Sequence, residues 1–129
     1  MGFFDFGDAK KARDQVYDDD VADEHKAKFS HELVGGAAAF EAMHLWEKEQ
    51  RKEGKQVSHG VAKEALAALA AAEADKLVET KGLDFVDRER TKHHAKKQVE
   101  QLYDSQYGGQ DNYSTDYEMH ESMQEPVQD

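Results

Sequence analysis

The chain has 129 residues, enough for one small domain and too few for two comfortable ones. Cysteine is absent, which excludes a disulfide framework, a thiolate nucleophile and a cysteine-based zinc site. The formal net charge of −11 argues against nucleic acid and anionic membranes as partners, because their phosphates call for a basic footprint.

The charge is unevenly spread. Residues 1–24 hold eight acids and three bases, and residues 104–129 hold seven acids and no base. The stretch between is near neutral, so a balanced body carries two acidic ends. The only proline is Pro126, which leaves long helices uninterrupted. The N-terminus is acidic and its apolar run is too short for a signal peptide. Gly2 lacks the Ser or Thr that myristoylation wants, since Phe6 stands there. No apolar run is long enough to span a bilayer. These features together predict a cytoplasmic protein.

In chain order, the first predicted element is a short helix from Asp8 to Asp20, through Ala9, Ala12, Val16 and Tyr17, with Asp8 as its N-cap. The second runs from about Asp23 to Glu53. At about 100° per residue, Phe29, Leu33, Gly36, Phe40 and Met43 share one side, and Gly54 after a charged last turn is a stop signal. Ser58 is an N-cap for a third, Ala-rich helix from His59 to Lys81. Ala62, Ala65, Leu66, Leu69 and Leu77 share its apolar face, and Gly82 ends it. Asp84 then caps a fourth helix reaching about Gln106, with Arg88, Ala95, Val99, Leu102 and Tyr103 on one side. Beyond Gly108-Gly109 the chain has no period and no positive charge, and it reads as a disordered acidic tail.

Short loops make neighbouring helices antiparallel. The expected fold is therefore all-α: an antiparallel three-helix bundle with a short N-terminal helix and a disordered acidic C-terminal tail. The corresponding segments are residues 1–23, 24–107 and 108–129.

Several stretches are similar to a known family. HKAKFSHEL at 25–33, AAAFEA at 37–42, EADKL at 73–77, ETKGLDFVDRE at 79–89 and HHAKKQ at 93–98 carry the likeness. With them the chain resembles, over roughly residues 3 to 107, the fungal CipC-like proteins, a concanamycin-induced, antibiotic-response family. The resemblance implies a small intracellular fungal protein tied to stress or antibiotic exposure. It carries over no catalytic residues and no cofactor.

Candidate chemistry is sparse. Helical metal sites space their ligands at i, i+3 or i, i+4, and no His pair has that spacing. Glu41 and His44 make one Glu-x-x-His, but a di-metal bundle needs a second copy and two further glutamates. They remain weak metal candidates, and no specific zinc site is expected. His93 and His94 are adjacent and point about 100° apart on a helix. No Gly-x-Ser-x-Gly and no phosphate loop occurs, and Ser30-His31-Glu32 cannot be a triad because consecutive helical residues diverge.

Polar residues on apolar faces say more. His44, Glu47, Glu73 and Arg88 are read as a buried polar cluster, with Glu73 and Arg88 as an ion pair that fixes helix register. The second helix also has a small-residue face, including Gly35, Ala39 and Trp46, beside Gly36 on its other stripe. Such a face reads as a packing device, covered either by the first helix with Phe3, Phe4 and Phe6 or by a second copy of the chain. The partner is otherwise unknown. The functional reading is a non-catalytic, soluble stress-response or interaction protein. Its alternatives are a small-molecule or metal binder using the polar cluster, or an enzyme of unknown type.

Overall fold

The structure is a computed structural model that describes residues 6–17, 31–54, 56–80, 87–110, 113–114 and 123. The described residues form four α-helices and no strand: α1 (Phe6–Val16), α2 (His31–Glu53), α3 (His59–Thr80) and α4 (Arg88–Tyr107). Expectations placed on Phe3, Phe4, Phe29, Gly82, Asp84 and residues 23–30 lie outside the described residues. No helix among the described residues is long and apolar enough to cross a membrane.

Local signals explain the helix ends. Gly54 adopts φ 69° and donates its N–H to the Gln50 carbonyl at 2.8 Å, which stops α2. The Ser58 hydroxyl accepts from the Val61 N–H at 3.3 Å and starts α3. Two starts differ from expectation. α1 begins at Phe6, which puts Asp8 in its first turn rather than at its cap. α4 begins at Arg88, because the Asp87 carboxylate accepts from the Arg90 N–H at 3.1 Å and caps the helix.

α2 is the central element and packs against α1, α3 and α4, while α3 and α4 also pack on each other. Every residue from Val34 to His44 is buried, so this helix is covered on all sides. α1 supplies part of that cover with Phe6, Ala9, Ala12 and Val16. Contacts ascend together along α2 and α4: His31 lies on His94, Trp46 on Tyr103, and Glu47 beside Tyr107. Between α3 and α4 the ends are opposed: His59 and Lys63, early in α3, meet Tyr103 and Asp104 late in α4, whereas Asp75, late in α3, meets Lys92 early in α4.

On α3 the buried stripe is Ala62, Leu66, Ala70, Ala74, Leu77 and Val78. It is centred on alanines, and Leu69 and Ala65 sit at its half-buried edge. This phase moves Glu73 off the centre of the face.

The C-terminal segment is not free of the body at its described positions. Tyr113, Ser114 and Met123 are all buried. Val57 and Tyr113 form an isolated antiparallel bridge, with N–H to carbonyl distances of 2.9 and 2.8 Å. The expectation of an undocked tail is therefore corrected at these residues.

Gly35 lies where α2 and α4 approach most tightly among the described glycines. A Cβ there would stand 2.9 Å from the His94 Cβ and 3.1 Å from the Ala95 backbone nitrogen. Neither atom is the end of a flexible side chain. In an open helix, Gly to Ala stabilises by about 1 kcal/mol. Overpacking a tight contact costs about 1–3 kcal/mol. Gly35→Ala is therefore expected to lower stability by about 1 kcal/mol or more in urea unfolding, the overpacking term exceeding the propensity gain. A gain of about 1 kcal/mol would mean the contact is loose.

Candidate functional site

The polar residues inside this fold fall into two groups, both anchored on α2. The larger one surrounds Glu47, which is fully buried. A buried carboxylate needs hydrogen-bond donors to offset lost hydration. Glu47 accepts one hydrogen bond from the Tyr107 hydroxyl on Oε2. On Oε1 it accepts another from the Tyr113 hydroxyl at 2.9 Å. The Arg51 Nε lies 3.6 Å from Oε1, one helical turn on, and Arg51 Nη2 donates to the Tyr107 hydroxyl at 3.1 Å.

The rings complete the arrangement. Tyr113 packs edge-on against Trp46 and Tyr107, with centroids 4.5 and 4.9 Å away. Tyr103 packs against Trp46 and bonds His59 Nδ1 at 2.6 Å. His59 Nε2 lies 2.6 Å from the Gln110 carbonyl, which can only accept. In the neutral imidazole the proton is therefore on Nε2, and Nδ1 accepts from Tyr103. Among the described residues, hydrogen bonds from His59 to Gln110, between Val57 and Tyr113, and from Tyr113 to Glu47 thus tie the segment after α4 to the body.

Electrostatics follow from burial. Desolvation pushes the Glu47 carboxyl above its ordinary value, and the bonds from Tyr107 and Tyr113 and the Arg51 charge pull it down without cancelling the rise. Burial and the Glu47 charge push the Tyr107 and Tyr113 phenols up, so both stay protonated donors. Tyr103 is raised to about 12 by burial and by Asp104.

The second group lies toward α1. Arg13 is 1 % exposed. Its Nε pairs with Asp14 at 2.9 Å, its Nη1 lies 3.5 Å from Glu41 Oε2, and its guanidinium sits 4.7 Å from the Phe40 ring centroid. Tyr17 donates to Glu73 Oε1 at 2.8 Å, joining the end of α1 to α3. Burial and the Glu73 charge raise the Tyr17 phenol.

The predicted site residues are thus distributed over separate places. His44 and Glu47 are buried on α2, and His44 meets the Phe40 ring edge-on at 5.9 Å. Glu73 is partnered by Tyr17, with Lys76 at 4.0 Å. Arg88 does not join this group. It is the first residue of α4, is 47 % exposed, and lies 3.7 Å from Asp75. The predicted Glu73–Arg88 pair is therefore corrected: the helix starts too late to bury Arg88, and Asp75 is its partner. Gly35, Gly36, Ala39 and Trp46 are all buried within the chain.

Sequence reasoning missed Arg13, Tyr107 and Tyr113. Arg13 had a signal, since it falls one turn after Ala9 on the face that α1 buries. Tyr107 is one turn after Tyr103 on the apolar side of α4. Tyr113 stands in an aperiodic polar stretch and had none. Among the described residues no third ligand joins Glu41 and His44. Among the described residues the group of potential ligands that converges is His31, Glu32 and His94.

The raised carboxyl makes a signed pH effect. Between the ordinary value of about 4.5 and its higher folded value, Glu47 keeps its proton in the native state while the unfolded chain has released it. Native protein binds more protons there, so its stability falls as pH rises through that window. Glu47→Gln removes this titration. The stability of the parent minus that of the variant is expected to fall as pH rises from about 4.5 and then level off, measured by urea unfolding at a series of pH values. A difference that rises with pH would contradict the raised carboxyl.

No curated protein and no solved structure matches this chain. The family described as Virulence factor CipC-like matches residues 12–106, which take in the C-terminal part of α1, all of α2 and α3, and α4 up to its penultimate residue. On that match, the chain belongs to the Virulence factor CipC-like family.

Proposed function

We propose that this chain is a non-catalytic stress- or antibiotic-response protein of the fungal cytoplasm that acts through its surface on a partner. Its frame is an antiparallel three-helix bundle of α2, α3 and α4, flanked by α1. The opposed contact order along α3 and α4, and the shared order along α2 and α4, support that arrangement. The family membership supports the link to stress or virulence.

One observation carries the non-catalytic reading. Glu47, the most deeply buried carboxylate among the described residues, turns both oxygens to phenols of its own chain. A general base or a ligand-binding acid must offer an oxygen to something that arrives. Glu47 instead works as an internal fastener. Its raised proton affinity arises from burial, a property that structural groups share with catalytic ones.

The test is complementation. In a strain lacking the protein, a variant with Glu47→Leu, Tyr107→Phe and Tyr113→Phe replaces the polar group by apolar residues of similar volume. Such replacements are often neutral or stabilising. If the group is structural, a folded variant restores growth under the inducing stress as well as the parent does. A variant that folds with the parent's circular dichroism and fails to complement would make this group the functional site.

A further inference from the structure

We propose that His31, Glu32 and His94 form a surface site for one zinc-type divalent cation, bridging the start of α2 and the middle of α4. Their potential ligand atoms, two imidazole nitrogens and a carboxylate oxygen, all lie within 4.8 Å of one another. This donor set suits zinc and its neighbours in the transition series. A tetrahedral zinc with bonds of about 2.0–2.1 Å sets its ligand atoms about 3.3 Å apart. Closing the gap therefore takes roughly 1.5 Å or less, within reach of side-chain rotation at partly exposed positions.

The backbone under the site is fixed before any ion arrives. His31 and Gly35 are one turn apart on the same face of α2. Gly35 is where a Cβ would collide with His94, so the missing side chain sets the approach of the two helices. The His31 and His94 rings stack with centroids 5.1 Å apart and planes at 25°. Preorganised ligands lose less entropy on binding. His93 is exposed, its ring meets that of His94 edge-on with centroids 6.1 Å apart, and it is not among the converging ligands.

Glu32 supplies the negative charge that offsets Arg90. Three protein ligands leave one coordination position open to water or to a group on a partner. The site is separate from the Glu47 group and does not depend on the function proposed above.

Isothermal titration of the full chain with zinc chloride at neutral pH tests the site. The expected result is one ion per chain, with His31→Gln and His94→Gln each weakening binding about tenfold or more and His93→Gln leaving it unchanged. Glu32→Gln alters an exposed residue and is expected to weaken binding without changing the circular dichroism, so a folding defect cannot imitate the result. Excess zinc should also raise the melting temperature of the parent and not that of His94→Gln. Absence of stoichiometric binding, or binding that survives both His31→Gln and His94→Gln, would overturn the proposal.

Discussion

A carboxylate removed from water has to be given donors, and Glu47 takes them from two separate stretches of chain. Tyr107 comes from the last turn of α4, and Tyr113 comes from beyond it. Because both bonds end on one side chain of the central helix, the end of α4 and the segment that follows are fixed relative to α2. Hydrogen bonds to a charged group contribute about 1.5–3 kcal/mol each, more than most neutral ones. Leaving such an acid buried with a donor missing costs more than the bond itself supplies. Trp46, Tyr103, Tyr107 and Tyr113 then close around it as an aromatic cover that keeps water out.

At the other end of α2 a different constraint governs. There Gly35 lets α4 approach until the His94 Cβ occupies the place of a side chain. The alanines at 37, 38, 39 and 42 allow the remaining helices to pack on all sides of α2. Small residues give close backbone approach but little apolar area for each contact. The polar links Arg13–Glu41 and Tyr17–Glu73 add direction, holding α1 at a fixed place on this nearly featureless surface. The bundle is thus bound by polar fasteners at specific points and by close helix packing between them.

Much of this was legible in the sequence because its causes are local. Gly54 and Ser58 signal a helix stop and start through their own conformational and hydrogen-bonding properties, and the Ala-rich run of α3 needs no tertiary information. The family likeness rested on charged signatures within the matched span. What could not be read depends on pairs far apart in the chain. Tyr113 and Glu47 are 66 positions apart, and no period in the tail marks that tyrosine. The Glu73–Arg88 pair looked sound by helical angle, yet angle does not say where a helix begins, and Asp87 caps α4 just before Arg88. The convergence of His31 with His94 is equally invisible, since spacing rules see ligands on one helix and this pair lies on two.

The central claim is that the segment beyond α4 belongs to the fold through Tyr113 and Glu47. The most direct measurement is the melting temperature of a chain ending at Gln110, followed by circular dichroism and by the fluorescence of Trp46, which Tyr113 contacts. The truncation removes the Tyr113 hydrogen bond to Glu47, the two backbone hydrogen bonds of the Val57–Tyr113 bridge and the buried Tyr113 and Met123 side chains, a loss on the order of 2 kcal/mol. The account predicts a melting temperature lower by about 5–10 °C and a change in Trp46 emission as its cover is removed. An unchanged melting temperature with unchanged emission would show that the segment is not held, and would contradict the account.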